Sequence, residues 1–153
     1  MGSEMCIRDR KGLGNTVPEL SEILKENPKS KIFEKTIKFS MLTEDVQSQL
    51  KSLDKWPKSV VLFGIEAHVC VQQTALDLLS SGFDVHVVAD STSSRSMSDR
   101  MLAFERIRQS GGFITTSESV LFMLMESSKH PKFREVQKLI IESAPYQGLT
   151  PKL

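Results

Sequence analysis

Residues 59–82 read "SVVLFGIEAHVCVQQTALDLLSSG". The stretch changes its period halfway. Residues 59–64 form a continuous apolar, β-branched run, the pattern of a strand buried on both faces. From position 68 to 80, Val71, Ala75, Leu78 and Leu79 fall on one helical face, and Gly82 supplies a stop. A buried strand that passes straight into an amphipathic helix is half of a βαβ unit. Cys70 stands at the junction, in the first turn of the expected helix.

The pattern repeats outward from this stretch. "DVHVVAD" (84–90) is a second buried strand, "STSSR" a polar loop, and residues 97–109 a helix ended by "SGG". "FITT" (113–116) is a third strand, followed by helices in "SESVLFMLMES" and in "PKFREVQKLIIES", the latter opened by Pro131. Toward the N-terminus, Thr43 caps a helix carrying Val46, Leu50 and Leu53, and "KIFEKTIKF" (31–39) is a strand ending near Lys35. Thr16 and Glu19 have capping-box spacing, with Pro18 in the first turn of a helix that runs to about Glu26. Four strands from Lys31 onward, alternating with helices, predict a parallel sheet covered on both faces.

Residues 1–10, "MGSEMCIRDR", carry neither period nor turn chemistry and read as a non-native leader. The domain is expected over 11–142, with an irregular tail over 143–153. A chain of 153 residues is long enough for one domain with a real core. The net charge of +1 gives no electrostatic footprint for a nucleic acid or an anionic membrane, so neither is an expected partner. Apolar runs are strand-length, too short for a bilayer. Cys6 and Cys70 make no disulfide framework and no paired-cysteine metal site. A cytoplasmic setting is expected. The alternative is peroxisomal, because the final Pro-Lys-Leu resembles the Ser-Lys-Leu address.

In a parallel sheet, ligands bind beyond the carboxyl ends of the strands. Lys35, "GIEAHVC" and Asp90 all fall at such ends. Cys70 at a helix start is either a nucleophile, with free backbone N–H groups beside it to hold an oxyanion, or a small core residue. Lys35 is either part of that site or a solvated lysine beside Glu34. Asp90 reads as a loop-ordering or capping carboxylate. Arg95 and Arg100 read as helix-start surface charges or as contacts for an anionic substrate. His68, His86 and His130 lack a ligand spacing, so no metal is expected. "GLGNTV" and "SGGF" lack the dinucleotide fingerprint, so no cofactor is expected.

The strings "GLGNTVPEL", "KTIKFSM", "SVVLFGIEAHVCVQQTALDLL", "VHVVADSTSSRSMSDR", "TTSESVLFML" and "HPKFREVQKLI" together resemble the isochorismatase-like hydrolases, and most of all their eukaryotic members. The resemblance runs from Lys11 nearly to the end. It implies a three-layer α/β/α sandwich with a Rossmann-like, mostly parallel sheet of about six strands. It implies an Asp-Lys-Cys triad in which Cys70 matches the nucleophile and Lys35 the lysine. It also implies a cis peptide at Ile65–Glu66 that turns the amides of Glu66 and Cys70 toward an oxyanion. The family's aspartate lies on a first strand that would precede "GLGNTVPEL". Nothing in 11–153 matches it, so the first strands of the family fold are expected to be missing. The resemblance thus points to a cysteine hydrolase of small amide or similar acyl substrates, inactive in this form for want of the aspartate, whose intact parent forms homo-oligomers. The alternative is a non-catalytic interaction protein of the same fold.

Overall fold

In the computed structural model, residues 4–9 and 14–143 are described. The expected tail, the loop glycine Gly12 and the Pro-Lys-Leu terminus lie outside them. The elements in order are β1 (Glu4–Asp9), α1 (Pro18–Glu26), β2 (Ser30–Lys35), α2 (Glu44–Lys51), β3 (Ser59–Gly64), a π-turn (Ala67–Val71), α3 (Gln72–Ser80), β4 (Asp84–Thr92), α4 (Met97–Gln109), β5 (Phe113–Thr115), α5 (Ser117–Met125) and α6 (Phe133–Ser143).

The four strands expected after Lys31 form, and all described pairings are parallel. The fold class is therefore α/β with a parallel sheet. The ladder is split in two among the described residues: β1 pairs with β2, and β3-β4-β5 form a separate three-stranded sheet. Residues 4–9, within the expected leader, form strand β1. Its backbone follows β2 in register from Glu4↔Ser30 to Asp9↔Lys35.

One face of the three-stranded sheet carries the core. Val85 and Val87 of β4 are buried against Ala67 and Val71 of the π-turn, Ala75 and Leu78 of α3, and Ala103, Phe104 and Ile107 of α4. Leu42, Val46 and Leu50, from α2 and the loop before it, join the same cluster. The Thr43 side chain accepts from the Val46 N–H, which is the expected cap. Helix α3 ends as expected at Gly82, with φ 83°. The Gly82 N–H reaches the Leu79 carbonyl and the Phe83 N–H the Leu78 carbonyl, closing the helix in a Schellman motif. Gly112 is required by a close approach instead: a Cβ there would sit 2.6 Å from Ile107 Cγ2.

The other face corrects an expectation. Strand β3 is not buried on both sides, since Val61 and Phe63 are 40% and 63% exposed while Val60 and Leu62 pack inward. The register aligns Val61 with His86 and His86 with Phe113, and the His86 ring stacks on Phe113 at 4.8 Å. Strand β3 pairs along one edge only among the described residues. An apolar run shows that a strand can be buried, but neighbouring elements decide which faces are.

Arg100 is not a surface charge. It is 7% exposed, its Nε donates to the Thr92 carbonyl at 2.7 Å, and its Nη2 donates to the Ala89 carbonyl. The guanidinium also lies 4.8 Å over the Phe104 ring. It fastens the end of β4 to α4. Arg100→Met keeps much of the volume but orphans two carbonyls, so a loss of about 2–4 kcal/mol is expected in urea unfolding. A loss under about 0.5 kcal/mol, the range of an ordinary surface substitution, would contradict the clamp.

Candidate active site

The carboxyl ends of β2 and β3 bring two of the expected residues together. Lys35 ends β2 and is 5% exposed. Cys70 is half-buried within the π-turn after β3. The Lys35 Nζ lies 3.6 Å from the Cys70 Sγ and donates to the Lys38 carbonyl at 3.3 Å. A buried ammonium needs such partners, and a sulfur that acquires negative charge is a suitable one.

The chain reaches this geometry through Glu66. No cis peptide bond occurs among the described residues, so Ile65–Glu66 does not form the bend expected from the resemblance. Glu66 instead takes a left-handed conformation, φ 58° and ψ 63°. A non-glycine residue held there costs roughly 1–3 kcal/mol and persists only where its surroundings fix it. Two backbone bonds do so: the Ser93 N–H donates to the Gly64 carbonyl at 3.0 Å, and the Ala67 N–H to the Ser93 carbonyl at 2.8 Å. The Val71 N–H then reaches back five residues to the Glu66 carbonyl at 3.4 Å, the bond that defines a π-turn. The wider turn carries Cys70 at the head of α3. A helical period gives no warning of the extra residue, so the sequence predicts an α-helix over this turn. The resemblance places Glu66 at this turn, and what sequence reasoning missed is its left-handed backbone in place of a cis peptide.

The other candidates serve elsewhere. The Asp90 carboxylate accepts from the Ser117 N–H and hydroxyl and so anchors the start of α5 to β4, which is the capping role expected for it. His68 Nδ1 lies 3.1 Å from Ser94 Oγ and 3.4 Å from Glu66 Oε2, beside the site. His86 belongs to the open sheet face, and His130 Nδ1 accepts from the Lys132 N–H at the approach to α6. Arg95 is exposed. No group of three or more His, Cys, Asp or Glu residues is arranged to hold a metal among the described residues. No described helix is long and apolar enough to cross a membrane.

Among residues 14–143, the bonds found at Lys35 and Cys70 do not run to a carboxylate. The register does place one acidic residue beside Lys35, since Asp9 is its partner on β1.

Residues 8–119 match the isochorismatase domain. The chain is 54% identical over 140 residues to isochorismatase domain-containing protein 2 of Xenopus laevis, covering 91% of this chain and 64% of that one. It is 52% identical over 143 residues to isochorismatase domain-containing protein 1 of Salmo salar, covering 94% of this chain and 48% of that one. The chain thus spans between about half and two thirds of these relatives. Among solved structures, the MAR1 ribonuclease of Caenorhabditis elegans is similar at 48% identity and a TM-score of 0.86, covering 99% of this chain and 76% of that one. A domain match over most of the chain, on a parallel α/β fold that joins Lys35 to Cys70, places this protein in the isochorismatase-domain family.

Proposed function

We propose that the chain carries the nucleophilic part of a cysteine hydrolase acting on a small amide or similar acyl substrate, with Cys70 as nucleophile and Lys35 as its charge partner. The 3.6 Å contact between the buried Lys35 ammonium and Cys70 carries this reading. The sulfur attacks the acyl carbon, a C–S bond forms, and the carbon–nitrogen bond breaks. The thiol proton passes to the leaving amine, and water then hydrolyses the thioester and restores the thiol. In this reading the backbone amides of Glu66 and Cys70 would serve the oxyanion. The proton carrier of this scheme is a carboxylate, and the described side chains supply none at the pair, so turnover of this chain is expected to be low. No cofactor enters the scheme.

A second reading, an oligomer-forming partner protein without catalysis, draws on the uncovered apolar row Val61, Phe63 and Phe113. Selective alkylation separates the two. Iodoacetate is anionic and iodoacetamide neutral, so their rate ratio reports a positive charge near the sulfur. Followed on the Cys70 peptide, with Cys6 as reference, that ratio is expected to fall about fivefold in Lys35→Met, the size of a unit-charge interaction at this separation in a water-like dielectric. An unchanged ratio removes Lys35 from the site. The ribonuclease named for the nematode structure makes a short RNA the necessary companion to a panel of amides and esters. RNA cleavage without acyl turnover would overturn the acyl assignment.

A further inference from the structure

Lys35 and Cys70 belong to different sheets, and no strand ladder joins β2 to β3 among the described residues. Their 3.6 Å separation is therefore not fixed by strand register. A hydroxyl group spans the gap. Thr74, buried on α3, donates from Oγ1 to the Cys70 carbonyl at 2.6 Å and accepts from the Met41 N–H at 2.8 Å. Met41 lies in the loop that leaves β2, the same loop whose Lys38 carbonyl holds the Lys35 Nζ. The four groups form a ring: ammonium, loop, hydroxyl, cysteine backbone and back to the ammonium through sulfur.

The Met41–Thr74 bond links the loop that carries the Lys38 carbonyl to the helix that follows Cys70. Both capacities of the hydroxyl are used, and the buried site leaves water little access to replace it. Thr74 lies one helical turn after Cys70, so its own placement follows that of the π-turn. We propose that Thr74 is a positioning residue that holds the lysine-bearing loop against the cysteine turn and thereby sets the charge beside the nucleophile. The inference rests on the reading of Lys35 and Cys70 as a functional pair.

The test uses the full chain and the iodoacetate-to-iodoacetamide rate ratio at Cys70. Thr74→Val keeps the shape and removes the hydroxyl, and Thr74→Ser keeps the hydroxyl. The ratio in Thr74→Val is expected to fall toward that of Lys35→Met, by about threefold to fivefold, and Thr74→Ser is expected to stay close to the unsubstituted protein. A residue that merely supports the core would lower the melting temperature and speed both reagents alike, leaving the ratio unchanged. That outcome overturns the proposal. If Lys35→Met itself leaves the ratio unchanged, the functional pair fails first, whatever Thr74→Val does. Hydrogen exchange of the Met41 amide in the unsubstituted protein gives a check that needs no variant. Protection well beyond that of an open loop is expected, and exchange at the open-loop rate overturns the brace.

Discussion

Cys70→Ala is expected to abolish acylation of the chain by an activated ester. The unsubstituted protein should take up one acyl group at Cys70, detected by intact mass and assigned by peptide mapping. Acylation requires the nucleophile and its charge environment but not the later return of a proton to an amine, so it isolates the part of the chemistry assigned to these residues. Loss of a nucleophile in hydrolases that act through a residue triad lowers turnover by on the order of 10³–10⁶-fold, and acyl-enzyme formation should show the full effect. Cys70→Ser should acylate far more slowly than the thiol, because a hydroxyl lacks the nucleophilicity of sulfur without an adjacent base. An acyl group that persists in Cys70→Ala, or that maps to Cys6, would remove Cys70 from the chemistry. The residue would then be a half-buried cysteine at a helix start.

The sequence shows why Cys70 and Lys35 are the candidates, and also where such reading stops. Each follows a strand, which made both candidates for a sheet edge, and the family resemblance paired them. That they meet although their strands belong to separate ladders was not legible from chain order. Helix caps and stops were legible because Thr43 and Gly82 act on neighbours within four residues. What was hidden depends on partners distant in sequence. Arg100 reads as a surface charge because nothing local indicates that the Thr92 and Ala89 carbonyls will converge on it. The outer face of β3 reads as buried because Val61 and Phe63 are apolar, although no described element covers them. The left-handed backbone of Glu66 leaves no trace in composition, because glutamate is an unusual choice there and is held by Ser93 bonds made from another loop.

The same distinction governs the proton carrier. A positioned acid/base typically contributes on the order of 10²–10⁴-fold, and the resemblance places that group on an apolar strand ahead of "GLGNTVPEL". Joining the corresponding N-terminal part of the Xenopus laevis relative to this chain at Lys11 is therefore expected to raise amide hydrolysis by about 10²–10⁴-fold. Cys70→Ala in the joined protein should cancel the gain. The joined protein is also expected to melt at a higher temperature, because a strand added beside β3 would pair an edge that has no partner among the described residues. The alternative source of the carboxylate is Asp9, the register partner of Lys35 on β1. Asp9→Asn in the present chain separates the two. If that change lowers turnover by about 10²-fold or more, and the joined protein gains nothing, Asp9 is the proton carrier and the expectation of low turnover is wrong. If Asp9→Asn leaves the rate unchanged and the joined protein gains as expected, the lysine and cysteine form a site that lacks its acid. A joined protein that folds with a higher melting temperature and still hydrolyses no amide would place the fault in the choice of acyl substrate, because the strand, the aspartate, the lysine and the cysteine would then all be present.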